Sequence, residues 1–455
     1  MNSTPTFELT KEFHERFSKA IEVKDVEFIR NSLVSVNHAD ISVLLDEFSP
    51  EQYKYVLGLL DTSIGANIII DLDEDIREKF LDEFESTEIA GYVEQLETDD
   101  GADILYGLPV KQREQVISAM LNEDKAKNIV ELLHYDEDVA GGLMAKELIK
   151  ANLNWTIKQC IEEIRKQAED VENIYSVYVV DNNDKLIGKV SLKNLIIARD
   201  KTKVGDIYDS DIHSVETFMP ENEIAAMMRK YDLDAIPVVN LKGQLMGRIT
   251  NDDIIDVITE LAEEERQLMA GIATDVEEDD SIWKLSRARL PWLMIGLGGG
   301  SIAAYFIGFF EKEIILIPVM SFFIPLIMAT GGNVGIQSSS IIVQSLANRN
   351  AFEESMKNRL FKSLLVSIVN GVVLSIAGYF IVFSFDSDST IAMVVAIALF
   401  SVVLLASFMG TITPLILNKF DINPAIASGP FITTANDLLG LLVYFGVASI
   451  LYQFS

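Results

Sequence analysis

The sequence predicts four parts: an all-α helical solenoid, an α/β pair of strand–helix modules, a connecting helix, and an all-α transmembrane domain of five spans. Three observations carry this. An apolar repeat with a period of twelve runs through the first third. Two runs of β-branched and aromatic residues, each followed by a turn, a second strand and a helix, occupy the middle. Five apolar stretches of about 20 residues or more, long enough to cross a bilayer, fill the last third.

The repeat places Phe48, Leu60, Leu72, Phe84, Leu96, Leu108, Met120 and Leu132 twelve apart. A second apolar residue stands three positions before each: Leu45, Leu57, Ile69, Leu81, Val93, Leu105, Ile117 and Ile129. Residues three apart share one face of a helix. Turn and cap formers follow many units, as in Ser49-Pro50-Glu51 and Glu97-Thr98-Asp99. Residues 1–136 therefore read as a stack of short helices, whose pattern alone says no more than scaffold.

Over residues 137–262 the period changes. Ile174–Val180 is a strand run, followed by the turn Asp181-Asn182-Asn183-Asp184, a strand over Lys185–Val190 and a helix from Leu192. The order returns with Ala235–Val239, a turn at Lys242-Gly243, Gln244–Ile249 and a helix opening at Thr250. Gly188-Lys-Val-Ser191-Leu-Lys-Asn194 and Gly247-Arg-Ile-Thr250-Asn-Asp-Asp253 resemble the strand–turn–helix end of a tandem CBS domain pair. That resemblance implies an adenine nucleotide, with Thr250 and Asp253 on its ribose and phosphates. The first module has Asn194 where Asp is usual.

The helix after Thr250 carries Asp252, Asp256, Glu260 and Glu264 at intervals of four, with Asp253, Glu263 and Glu265 alongside. Like charges so spaced each destabilise a helix by roughly 0.2–0.5 kcal/mol. A solvated face is the plain reading of such a run. A second acidic set, Glu94, Glu97, Asp99, Asp100 and Asp103, opens the alternative of an ion-dependent clamp. Two acidic faces dock closely only when cations screen them, and hard divalent ions prefer carboxylate oxygen.

Charge divides the chain in the same way. Of 69 acidic and 37 basic residues, eight acidic and six basic ones follow Leu290. The first 290 residues thus carry −30 and the remainder −2. A surface so acidic repels nucleic acid and anionic lipid and attracts cations. The single cysteine, Cys160, offers no disulfide and fits a reducing cytosol. The first 30 residues lack the apolar core of a signal peptide.

Residues 263–288 are expected to form the connecting (plug) helix, and 289–455 the five spans: Leu290–Phe310, Ile314–Leu346, Leu364–Phe385, Thr390–Leu417 and Pro424–Phe454. Arg287 and Arg289 precede the first span, and Arg349, Lys357, Arg359 and Lys362 lie between the second and third. Lys419 lies between the fourth and fifth, whereas the loops Glu311–Glu313 and Asp386–Ser389 hold only Lys312. The positive-inside rule then makes the N-terminal portion cytoplasmic and the C-terminus extracytoplasmic.

The second span contains Gly331-Gly332-Asn333-Val-Gly335-Ile-Gln337 after Pro318 and Pro325. Glycines there permit either close helix approach or a helix broken in its middle to line a cavity. Asp437 is the one ionisable residue of the last span and falls near the bilayer centre. Such a residue costs about 2.5–3.5 kcal/mol on insertion scales and usually marks an ion pathway. No Lys, Arg or His lies in any span to pair with it, so a cation or a proton must. A single carboxylate, with oxygen added by Thr433 and Thr434 one turn earlier, suits an ion that keeps its water, as Mg²⁺ does, but these residues do not separate Mg²⁺ from Ca²⁺ or Mn²⁺. Two chains on a twofold axis would bring two copies of Asp437 together.

The chain beyond its first forty residues resembles the MgtE family of magnesium channels. The match rests on Asp138-Val-Ala-Gly-Gly-Leu-Met144, Arg289-Leu-Pro-Trp292, Gly331-Gly-Asn-Val-Gly-Ile-Gln337 and Ser428-Gly-Pro-Phe-Ile-Thr-Thr-Ala-Asn-Asp437. The resemblance implies a homodimer in the inner cell membrane, with a pore built mainly from the second and fifth spans. It implies Asp437 holding hydrated Mg²⁺, Asn333 lining the pore, and cytosolic Mg²⁺ closing it through the connecting helix. Asn423, where similar sequences carry Asp, departs from the pattern, as does Gln344, near which a basic residue is common.

A gated channel is the first reading and an ion-coupled secondary transporter of divalent cations the second. A nucleotide-sensing receptor without transport is the third. No histidine among His14, His38, His134 and His213 stands in a catalytic or metal-ligand spacing, which argues against an enzyme.

Overall fold

The computed structural model describes residues 9–453 apart from 47, 169–170, 172, 275, 277–279, 348–355, 386–387, 421 and 428. Arg349, Asp386 and Ser428, used above, lie outside the described residues. The chain divides into two compact units, Met1–Ile258 and Thr259–Ser455.

In the first unit the apolar repeat becomes a helical array. Its helices are α1 (Lys11–Glu22), α2 (Val26–Leu33), α3 (His38–Leu45), α4 (Pro50–Leu57), α5 (Thr62–Ile70), α6 (Glu74–Leu81), α7 (Ser86–Val93), α8 (Thr98–Tyr106), α9 (Val110–Ala119) and α10 (Glu123–Leu132). From α3 onward, helices two apart pack together, α3 on α5, α5 on α7, α7 on α9, α4 on α6 and α8 on α10, whereas α1 packs on α2. Leu45, Leu57, Ile69, Leu81, Val93, Leu105 and Ile129 are all exposed by 2 % or less, so the repeat is the core. Ile117 is the exception; Val116 takes the buried place in α9. Side-chain caps start the helices where turn formers stand, as with the reciprocal bonds of Ser49 and Gln52 at α4.

Two three-stranded sheets follow. The first comprises β1 (Ile149–Asn152), β2 (Val177–Val180) and β3 (Leu186–Val190), with helices α11 (Ile157–Gln167) and α12 (Leu192–Ile197). The second comprises β4 (Val215–Glu216), β5 (Ala235–Val239) and β6 (Leu245–Thr250), with α13 (Glu221–Tyr231). In each, the first strand runs parallel to the second and the second antiparallel to the third. β1 and β4 escaped the sequence reading because runs of four and two residues are too short to show a period. Cys160 is fully buried in the first module, and burial pushes its thiol up to about 11, so it is apolar filling.

Helix α14 (Asn251–Ala270) opens after β6. The connecting helix expected over residues 263–288 is not one helix. α14 stops at Ala270, where Gly271 takes a left-handed φ of +80°, and Ser281 caps a new helix by accepting from the Lys284 amide. That helix, α15 (Ile282–Phe309), is already the first span.

Beyond it lie α16 (Glu311–Leu316), α17 (Ile324–Ala347), α18 (Met356–Phe385), α19 (Ser389–Lys419) and α20 (Pro430–Gln453). Five segments are long and apolar enough to cross a membrane, matching the five expected. The second is not broken in its middle, however. α17 runs unbroken through Gly331–Gln337, and the irregular stretch lies upstream, in a 3-10 turn over Pro318–Phe323. Pro318 and Pro325, which lack an amide hydrogen, sit at the starts of that turn and of α17, where helices tolerate them.

The glycines serve close approach instead. A Cβ on Gly410 of α19 would lie 2.5 Å from the Gly335 carbonyl of α17, and one on Gly299 of α15 would lie 1.8 Å from Thr434 Cγ2 of α20. Hydroxyls tie the same helices: Ser407 lies 3.1 Å from Ser363 and 3.2 Å from Ser338, and Ser363 lies 2.6 Å from Thr411. Gly410→Ala is therefore expected to force α17 from α19, costing about 1–3 kcal/mol, as overpacking does. Thermal unfolding in detergent, lowered for Gly410→Ala but not for Gly296→Ala, which has open space around it, checks this.

Candidate ion-sensing surface and ion pathway

The two acidic sets meet within the first unit, but selectively. Asp99 and Asp100 lie in the first turn of α8, where the helix dipole favours negative charge. Asp99 is buried, and burial first, then Asp100, Asp253 and Glu97, hold its carboxyl well above the usual range. Burial and the charges of Asp103, Asp253, Glu97 and Asp252 push Asp100 up to about 7. Asp253, at the start of α14, is raised by burial, against the bonds it accepts from Thr250. Its Oδ2 accepts from the Thr250 amide (2.9 Å) and hydroxyl (2.8 Å).

Asp103 and Asp252 are exposed at the edge of this group. Asp256 is raised by burial, Asp252 and Asp71, an acid of the solenoid that the sequence did not single out. Glu260, Glu263 and Glu264 stand on α14 in the second unit and are exposed, with Glu263 paired to Arg266 at 3.4 Å. Among the described residues no three Asp, Glu, His or Cys side chains converge as a formed metal cage. What Asp99, Asp100 and Asp253 share is a partly dehydrated space in which like charges raise one another's pKa, a donor set that a hard divalent cation would relieve.

The sequence also missed the cations. Arg248 of β6, 3 % exposed, donates from Nη2 to both oxygens of Glu97 (2.7 and 2.8 Å) and from Nε to the Glu147 carbonyl (2.5 Å). Lys125 donates to the carbonyls of Glu94 and Leu96 just ahead of α8. An arginine inside an otherwise apolar strand, between Gly247 and Ile249, was the available signal.

Thr250 and Asp253, expected on a nucleotide, lie together at the start of α14. They bond to each other, and Asp253 faces Asp99 and Asp100, whose charge would repel phosphate. Ile174, Tyr175, Tyr178 and Arg248 line a small cleft, with the guanidinium 5.1 Å from the Tyr175 ring centroid.

In the second unit Asp437 is half-buried on α20, facing α17 at Gly332, where an added Cβ would lie 3.7 Å from its Oδ1. Thr433 meets the same glycine, but its hydroxyl donates to the carbonyls of Gly429 (3.2 Å) and Pro430 (3.1 Å). Asn333 is exposed on α17. Asn423 caps the turn before α20, its Oδ1 accepting from the Ala425 amide. The end of α14 packs here too: a Cβ on Gly271 would lie 2.7 Å from Pro430, and one on Gly429 would lie 2.7 Å from the Met269 carbonyl.

Among the described residues, five spans with one carboxylate in the last, following a helical array and a strand–helix pair that bring Asp99, Asp100 and Asp253 together, fit a multi-pass membrane transporter for cations. Family models agree: a divalent cation transporter over residues 324–447, the MgtE intracellular N domain over 36–138, and CBS domains over 138–201 and 204–260. The magnesium transporter MgtE of Thermus thermophilus is 31 % identical over 96 % of this chain and 97 % of its own length. That of Enterococcus faecalis is 33 % identical over 73 % of each. Among solved structures, the cytosolic domain of the Mg²⁺ channel MgtE in complex with ATP is 29 % identical, with a TM-score of 0.50, over 54 % of this chain and 99 % of that one. The chain belongs to the MgtE family of magnesium transporters.

Proposed function

We propose that the chain is a Mg²⁺ channel whose pathway passes Asp437, and that cytosolic Mg²⁺ closes it by bridging Asp99 and Asp100 to Asp253. One observation carries the reading. Helix α14 begins with Asp252, Asp253 and Asp256 and ends packed on Gly429 and Pro430, the start of the span that holds Asp437. A change in the charge balance at one end of α14 is thereby passed to the pathway at the other. With the ion absent, carboxylates forced together repel; with it bound, the solenoid stays docked and α14 stays set.

In this reading two protomers bring their Asp437 side chains to a shared axis, with Asn333 on the lining and Thr433 supplying carbonyl oxygen. The N-terminal portion faces the cytosol and the C-terminus the exterior of the inner membrane, as the loop charges require. A nucleotide on the CBS pair, with Thr250 and Asp253 at its ribose and phosphates, belongs to the same reading, and the gating step does not depend on it. Limited proteolysis of the full chain in nanodiscs tests the gating: millimolar-scale Mg²⁺ should protect the first 258 residues, and EDTA should expose them. Equal cleavage in both would defeat it.

A further inference from the structure

We propose that Arg248 is a resident cation of the sensing surface, positioning the carboxylates of α8 opposite Asp253 and holding the solenoid to the second strand–helix module without a metal ion. This rests on the reading that Mg²⁺ bridges those carboxylates.

The geometry is specific. The backbone of Arg248 is locked to Ala145 in both directions, at 2.8 and 2.9 Å, so the side chain leaves β6 from a fixed base. Its guanidinium lies over Tyr175 and reaches Glu97, the N-cap of α8, two residues before Asp99. The carbonyl of Glu147 holds Nε, and the carboxylate of Glu147 accepts from the amide (3.1 Å) and hydroxyl (2.7 Å) of Thr98. The Thr98 hydroxyl in turn accepts from the Lys146 amide at 2.8 Å. The first turn of α8 is thus pinned from the strand–helix pair at three consecutive positions, Glu97 and Thr98 directly and Asp99 through them.

The charge arithmetic gives the arrangement its purpose. Glu97, Asp99, Asp100 and Asp253 bring four negative charges to one partly dehydrated surface. A fixed guanidinium neutralises one of them at every Mg²⁺ concentration, which leaves fewer for the ion to offset. Docking then keeps a component at zero Mg²⁺, and less Mg²⁺ completes it. Removing Arg248 leaves Glu97 without its partner among three further carboxylates, whereas removing Glu97 leaves Arg248 facing Asp253, so loss of Arg248 should weaken docking more.

The experiment is the Mg²⁺ titration of protease protection, on the full chain in nanodiscs, for wild type, Arg248→Met, Glu97→Gln and the exchange Glu97→Arg with Arg248→Glu. The protection midpoint is expected to rise about tenfold or more in Arg248→Met, with metal-free protection reduced and global thermal unfolding little changed, and to rise less in Glu97→Gln, which also takes a carboxylate off the surface. The exchange should recover much of the shift. A wild-type midpoint in Arg248→Met would overturn the proposal. If Arg248→Met fails to fold, Arg248→Lys replaces it: the charge remains, the two-oxygen contact and the ring stacking go, and a midpoint equal to wild type would again overturn it. A wild type with no Mg²⁺ response defeats the bridging reading instead. Metal-free protection, stronger in wild type than in Arg248→Met, then still decides whether Arg248 holds the solenoid.

Discussion

Asp437→Ala is expected to reduce Mg²⁺ uptake into proteoliposomes, at fixed voltage, to the level of empty vesicles. The expectation comes from what the residue costs. An intramembrane carboxylate opposes insertion by about 2.5–3.5 kcal/mol, and the bases of the described spans, Lys284, Arg287, Arg289, Lys357, Arg359, Lys362 and Lys419, lie towards the ends of their helices. It lies on α20 facing Gly332 of α17, where an added Cβ would stand 3.7 Å from its Oδ1. Its removal should leave the fold as stable as before, or more so, and a drop in flux would then report on the pathway alone. Asp437→Asn, equal in volume, should fail in the same way, whereas Asp437→Glu should keep some flux. Wild-type uptake in the alanine variant would make Asp437 a structural residue and remove the pathway with it.

The second large effect is expected from neutralising the sensing surface. Asp99, Asp100 and Asp253 have carboxyls raised in the docked state, Asp100 from 3.8 to about 7. The groups facing them are Glu97, Asp103 and Asp252, with Arg248 and Lys125 as the nearby bases. The docked state therefore binds more protons than the separated one, and metal-free docking must weaken as pH rises from about 4 through about 7. Each proton linked in this way shifts the equilibrium by up to about tenfold per pH unit. Without Mg²⁺, protease protection should be high at pH 5.5 and low at pH 8, and Mg²⁺ should protect most at the higher value. Asp99→Asn, Asp100→Asn and Asp253→Asn combined should protect at pH 8 without Mg²⁺ and remove the pH response. A pH response that survives in the triple variant would place the titrating groups elsewhere.

Much of the fold was legible because its signals are local. The period of twelve survives as a buried face, since a short helix and its turn are set by neighbouring residues. The spans are legible because hydropathy accumulates along the chain. The errors were local as well. The glycines of α17 permit a broken helix or a close crossing, and their sequence is the same for both. Gly271 was passed over as a stop because an acidic helical pattern continues on either side of it. Burial within the acidic sets was not legible: Asp99 and Asp103 stand four apart on one short helix, yet one is buried and the other exposed.

By itself, then, the sequence determined the succession of parts, the five spans, the placing of one carboxylate in the last, and the two acidic faces. Each follows from spacing, hydropathy or charge counted along the chain. Tertiary structure alone decided which carboxylates share dehydrated space, that Arg248 reaches Glu97 across 151 residues of sequence, and that α17 runs whole where its glycines meet α19 and α20. The reason is physical. Burial, ion pairing and close packing are energies between surfaces, and no surface exists until distant segments have been brought together.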